Sequence, residues 1–234
     1  MFWVDPVSWF GERLIEKGVY EPELSDVVGY LLRRGDIFLD IGANEGYFSI
    51  LGSTLVKEEG GVYLVEPQTR LQSIIKQNLS INKCRNIQVV PLAFSDNDET
   101  VNLNLSLDVN SGSSSFHRRS LSMSKENVPC VTLDHFLSKN AINKIRLIKI
   151  DCEGAELLIL SGAKEALKEH TADFISVDYH PQIVGIAVVK QIDHLLRSNG
   201  YLLAETVKGP WLYYLPSVSD DLKPLGPLKE IAPL

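Results

Sequence analysis

Cysteine is scarce in this 234-residue chain: Cys84, Cys130 and Cys152 are odd in number and lack the C-x-x-C spacing of a metal knuckle. A disulfide framework pairs its cysteines, so a reducing compartment fits better. No apolar stretch reaches the ~20 residues that span a bilayer. The N-terminus carries Asp5 and Glu12 and lacks a basic start followed by an apolar block. No secretory leader is therefore expected, and the chain reads as cytoplasmic. In that setting Asn78-Leu79-Ser80 and Asn104-Leu105-Ser106 are chance matches to the glycosylation triplet. Basic charge is also short, with 23 Lys and Arg against 30 Asp and Glu, a net charge of −7. The clusters Arg33-Arg34 and His117-Arg118-Arg119 read as solvated faces, so nucleic acid is not the expected partner. There is no internal repeat.

What is present is an ordinary globular composition, 44% apolar and 23% charged, in a length that suits one domain. The stretch Asp40-Ile41-Gly42-Ala43-Asn44-Glu45-Gly46 follows the apolar run Ile37-Phe38-Leu39 and precedes a helical pattern with Phe48, Leu51 and Leu55. A strand, a glycine turn and a helix start fall in sequence. Twenty residues after Gly46, a second apolar run ends at Glu66. A glycine turn with an acid one strand later is how a βαβ unit holds an adenosine ribose. The glycines let the backbone approach a ligand, and the carboxylate accepts from two vicinal hydroxyls.

Residues 1–34 read as an aromatic-rich helical cap that covers the core, closes over a substrate or forms a dimer interface. Residues 35–216 then alternate strand and helix, with strands near 36–41, 61–66, 87–94, 145–150 and 174–177. Thr69 and Gln72 have capping-box spacing at the start of a helix. Pro91 favours a sheet edge. Residues 95–130 break the rhythm as an insertion containing Ser111–Ser115. Gly162 interrupts the helix that follows the fourth strand. A hairpin turning at Lys208-Gly209-Pro210 closes the domain. The tail 217–234 is Pro-rich and reads as irregular. The implied fold is α/β: a mostly parallel, seven-stranded sheet in the order 3-2-1-4-5 with a C-terminal antiparallel hairpin at the far edge. Strands one and four lie side by side, so Asp40 and Asp151 flank one crevice at the reversal point.

Four segments now act together: Asp40–Gly46, Glu66-Pro67, Val131-Thr132-Leu133-Asp134 and Lys149-Ile-Asp-Cys-Glu-Gly-Ala-Glu156. Over roughly residues 20–215 the chain resembles FkbM-type methyltransferases. The resemblance implies a Rossmann-like class I sandwich, S-adenosylmethionine as cofactor, and O-methylation of a hydroxyl on a small molecule or glycan of sugar or polyketide type. It implies that Gly42, Asn44 and Gly46 wrap the methionine end, with helix N-terminal N–H groups on its carboxylate. Glu66, with Pro67, would hold the ribose. Ala93, Ser95 and Asp96 would meet the adenine, and Asp40 and Asp151 would place negative charge near the sulfonium. Ser114 and its neighbours match a serine-rich stretch that touches the cofactor, closes the site or is a surface loop.

An alcohol needs help to lose its proton. Asp151, Glu153 and His180 are the catalytic candidates. Glu153 also reads as a first-turn helix acid, and His180 as a loop histidine. With Asp178 they offer hard oxygen ligands and one imidazole, a set that suits Mg²⁺ without establishing it. Cys130 and Cys152 have no context as nucleophiles. Competing readings are a nucleic-acid methyltransferase, disfavoured because Asp151-Cys152-Glu153-Gly154 is not the Asn/Asp-Pro-Pro-aromatic motif; a nicotinamide oxidoreductase, disfavoured by the Gly-x-x-x-Gly turn; and a non-catalytic protein binding an adenosine cofactor.

Overall fold

The computed structural model describes residues 1–6, 8–105, 125–205, 211–225 and 229–230. Helices α1 (Trp9–Lys17) and α2 (Pro22–Leu31) come first. The α/β alternation follows as β1 (Ile37–Ile41), α3 (Tyr47–Val56), β2 (Gly61–Val65), α4 (Thr69–Ile81) and β3 (Ile87–Val90). Then come β4 (Ala93–Phe94), β5 (Glu99–Asn104), β6 (Lys125–Val131) and α5 (Leu133–Lys139). The second half contains β7 (Ile145–Ile150), α6 (Glu156–Ser161), α7 (Lys164–Lys168), β8 (Ala172–Val177), α8 (Pro181–Val184) and α9 (Ile186–Ser198). It ends with β9 (Leu202–Glu205), β10 (Trp211–Tyr214), a 3-10 helix (Pro216–Leu225) and β11 (Lys229–Glu230).

The main sheet runs β11-β9-β10-β8-β7-β1-β2-β3. Its five strands from β8 to β3 are parallel, and β10, β9 and β11 pair antiparallel. The expected seven strands and their order are present. The tail departs from expectation: it forms the 3-10 helix and adds a two-residue eighth strand. The hairpin turn expected at 208–210 lies outside the described residues.

Alternation sends side chains of each strand to two cores. Leu39, Ile41, Ile148, Ile150, Ile175 and Val177 pack on one face, with α6 and α9. Phe38, Leu147 and Phe174 pack on the other, with α2 and α3. Along α9, Val189, Ile192 and Leu196 recur at helical spacing and are at most 3% exposed. Burying each such side chain stabilises the fold by about 1.5–3 kcal/mol.

Pro91 divides the expected third strand. β3 is the edge of the main sheet, and β4 joins β6 and β5 in a separate three-stranded sheet. This is what the insertion builds from its described residues. The capping box is not formed. Gln68 is the N-cap of α4, Thr69 N–H reaches Glu126, and Gln72 Nε2 donates to the Glu66 carbonyl at 2.7 Å. The tertiary bond to Glu126 displaces the local motif. Asn78 is fully buried, with Nδ2 donating to the Glu45 carbonyl and Oδ1 accepting from Trp3 N–H, so it is no glycan acceptor in the folded chain.

Candidate active site

A cavity of about 440 Å³ opens at the carboxyl ends of β1, β2, β7 and β8. Its position follows from the topology, because β1 and β7 adjoin where strand order reverses. Asp151 N–H donates to the Ile41 carbonyl and Asp178 N–H to the Ile150 carbonyl, so the three strand ends stay in register. Gly42 makes that approach possible. A Cβ there would stand 1.9 Å from the Asp151 carbonyl oxygen, and its φ of 77° lies in the left-handed region.

On the β1–β2 side, the glycine turn is tied to its neighbours by the main chain. Gly42 and Ala43 N–H both donate to the Val65 carbonyl, and Gly46 N–H donates to the Ala43 carbonyl. Gly46 caps α3 at φ 88°. Glu66 is 3% exposed and lines the cavity. Its Oε2 accepts from Asn44 N–H and its Oε1 from Gln68 N–H, both at 3.0 Å. The Gln68 side chain also donates to the carboxylate. Burial, partly offset by these bonds, pushes the carboxyl up to about 7. Glu45 also lines the cavity, and its buried Oε2 has no hydrogen-bond partner. Burial, then the charge of Asp5, pushes Glu45 up to about 7.

The β7–β8 side is built from charge. Asp40 and Lys149 are cross-strand partners in the β1–β7 register. The Lys149 ammonium lies 3.6 Å from Asp40 Oδ1, 3.3 Å from Asp151 Oδ2 and 5.4 Å from the Phe48 ring centroid. Burial opposes its charge, but Asp151, Asp40 and Glu21 outweigh burial and hold Lys149 above its ordinary value. His180 is buried beside them. Its Nδ1 is 3.0 Å from Glu156 Oε1, which also accepts from Cys152 and Gly154 N–H at 3.1 Å. Its Nε2 lies 3.7 Å from Asp151 Oδ1, 3.8 Å from Glu153 Oε2 and 3.9 Å from Asp178 Oδ2. Burial again opposes the charge; the Glu156 bond and the surrounding acids prevail and raise His180 to about 9.

The sequence profile of the Methyltransferase FkbM domain matches residues 40–203. That span covers most of the chain and both walls just described. The chain belongs to the FkbM methyltransferase family. It is an S-adenosylmethionine-dependent methyltransferase. Among solved structures, a putative rRNA methylase from Clostridium thermocellum is similar at TM-score 0.54 and 10% identity, covering 83% of this chain and 95% of that one. A precorrin-6y C5,15-methyltransferase from Geobacter metallireducens GS-15 is similar at TM-score 0.49 and 14% identity, with 86% and 91% covered. At these identities the likeness concerns the fold. No curated protein matches the chain.

The cavity's own chemistry fits the cofactor of this methyltransferase. Glu66 lines the cavity with a carboxylate that could accept from hydroxyls, and the Glu45 oxygen without a partner could accept from an ammonium. Of the residues singled out in the sequence, Gly42, Asn44, Glu66, Pro67, Ala93, Asp151, Glu153 and His180 line the cavity. Four other expected residues are placed differently. Asp40 is fully buried below the floor, taking a 2.6 Å bond from Ser49 and facing Lys149, so it balances a buried charge and is not among the lining residues. Gly46 is spent on capping α3. Ser95 and Asp96 are not among the lining residues, and the Ser95 carbonyl packs on Gly162, where a Cβ would come within 2.1 Å. Leu92, Phe94 and Leu103 take their place in the wall. Ser114 lies outside the described residues. The expected N–H cradle is also altered, since the N–H groups of Gly42, Ala43, Asn44 and Gly46 are already bonded within the turn and to β2.

Several lining residues had escaped sequence reasoning. Trp9 and Phe10 enter from α1, and Tyr20 and Glu21 from the loop before α2. Their aromatic density was visible in the sequence; their destination was not. Lys149 carried a clearer signal: a lysine inside the apolar strand Ile145–Ile150 must find a buried partner. The two cysteines of interest stay inert. Burial, with Glu99, raises Cys130 to about 11, and burial, with Glu156 and Asp151, raises Cys152 well above its ordinary value. No helix among the described residues is long and apolar enough to cross a membrane.

Proposed function

We propose that this methyltransferase methylates a hydroxyl group of a small molecule or glycan. The observation that carries the reading is the cluster of Asp151, Glu153, Asp178 and His180 on the cavity wall opposite Glu66. A hydroxyl is a poor nucleophile until its proton is accepted, and this cluster supplies acceptors for it. When bound, S-adenosylmethionine supplies an electrophilic methyl: the acceptor oxygen forms the new C–O bond as the S–C bond breaks, and sulfur keeps that electron pair. Glu66, Glu45 and Asn44 bind and orient the donor. Asp151 and its neighbours hold the hydroxyl and take its proton. Phe10, Tyr20, Tyr47 and Phe48 form an edge-on aromatic group that excludes water and offers apolar faces to a sugar or polyketide. The acids at the mouth and the net charge of −7 disfavour a polyphosphate backbone.

The test is incubation with methyl-labelled S-adenosylmethionine and a panel of sugars, polyketide alcohols, amines, carboxylic acids and RNA. The reading expects label in an alcohol, as an ether stable to hydroxide. Label confined to RNA, to amines or to a base-labile ester would overturn it.

A further inference from the structure

We propose that Asp151, Asp178 and His180 bind one divalent cation of the Mg²⁺ or Mn²⁺ class. Each offers a ligand atom, and these atoms all lie within 4.8 Å of one another. The three come from the adjacent ends of β7 and β8, where Asp178 N–H bonds the Ile150 carbonyl and fixes their spacing.

Two features separate this group from a chance gathering of acids. The first is the histidine. Its side chain is only 9% exposed, and Glu156, itself 1% exposed, engages Nδ1. Glu156 is in turn held by two backbone N–H groups and accepts the Nδ1 hydrogen bond, so the ring is fixed with Nε2 facing the carboxylates, where a bound cation would replace the Nε2 proton. A carboxylate behind a histidine is the standard support of a metal-binding imidazole. Yet Nε2 makes no hydrogen bond, standing 3.7 Å from Asp151 Oδ1 and 3.9 Å from Asp178 Oδ2. Those gaps are too long for hydrogen bonds. Ligands about 2.1 Å from one octahedral ion stand roughly 3.0 Å apart when adjacent and 4.2 Å when opposite, so side-chain shifts of under about 1 Å would bring these atoms around a single cation. The second feature is the orientation of Asp151. Lys149 holds its Oδ2 at 3.3 Å, so Oδ1 is left to face the imidazole.

The donor set is two carboxylates and one imidazole, which suits a hard cation that keeps several waters. Asp178, 56% exposed, stands at the entrance and provides a way in. A hydroxyl replacing one of those waters would be acidified, its proton passing to Glu153. That consequence rests on the O-methylation reading; the binding of the ion does not.

The experiment is titration of the whole protein with Mn²⁺, without cofactor, following the paramagnetic resonance signal of free Mn²⁺. One ion should bind per chain, Mg²⁺ should compete, and Asp178→Asn should weaken binding at least tenfold. Asp178→Asn alters a rim side chain, and its fold is checked by circular dichroism. Asp220→Asn, at a remote acid 84% exposed, should change nothing. Absence of uptake at millimolar Mn²⁺, or equal uptake by wild type and Asp178→Asn, would overturn the site. Calorimetry with S-adenosylmethionine on the same samples separates the two claims. Cofactor binding without Mn²⁺ uptake sinks the cation site alone, whereas Mn²⁺ uptake without cofactor binding sinks the donor site.

Discussion

The two walls of the cavity are held by different forces. On the β1–β2 side, main-chain hydrogen bonds fix the turn, and Glu66 is oriented by two backbone N–H groups. On the β7–β8 side, Lys149 lies between Asp40 and Asp151, and His180 stands beyond hydrogen-bond distance of three carboxylates. A wall tied by backbone keeps its shape whether or not a ligand is present. A wall balanced by charge responds to protons and cations. The first suits recognition of an invariant donor, and the second suits the step in which a proton must move.

The contrast is broken most severely at Lys149. Lys149→Met leaves Asp40 buried opposite an uncharged side chain. Urea denaturation should show a loss of about 3–5 kcal/mol. A loss below about 1 kcal/mol would mean that charge does not hold this wall. Next is Glu66→Ala, which should weaken S-adenosylmethionine binding about 100-fold, roughly 2–3 kcal/mol, by calorimetry. Unchanged affinity would remove Glu66 from the donor site. Glu45→Gln should be milder, costing about 1.5 kcal/mol of cofactor affinity. An equal loss of affinity for an analogue lacking the ammonium would show that Glu45 acts elsewhere.

The smallest effect concerns pH. Glu21, Glu45 and Glu66 are each raised to about 7, chiefly by burial. Below the ordinary carboxylate value both states are protonated and the contribution is fully present. Between about 4.5 and 7 the native chain holds more protons than the unfolded one, so stability falls as pH rises through that window. The melting temperature of the cofactor-free protein should therefore decline from pH 5 to pH 8, and more gently in Glu45→Gln. A rise over that interval would contradict the burial of these acids.

Sequence made one wall easier to read than the other. The order 3-2-1-4-5 and the placing of the glycine turn beside Glu66 were legible, because a strand–turn–helix period and an acid at a strand end are local patterns. Asp40 was misjudged: it shares a motif with the glycines, but strand alternation turns its side chain beneath the floor. Ser95 and Asp96 follow β4 and fall outside the lining, whereas Ala93 and Phe94 of β4 belong to it, a division set by tertiary packing. The contribution of Trp9, Phe10, Tyr20 and Glu21 could not be read, because nothing in an amphipathic segment says which cleft it will cover. Glu156, five residues beyond Asp151 in the same motif, gains its partner only in the fold, which brings His180 to it.

The central claim is that the cavity between Glu66 and Asp151 receives S-adenosylmethionine. Its most direct test is calorimetric titration of the folded wild-type protein with that cofactor and, separately, with NAD. The account predicts saturable one-to-one binding of S-adenosylmethionine and none of NAD. No heat at millimolar S-adenosylmethionine, or equal binding of both compounds, would contradict it.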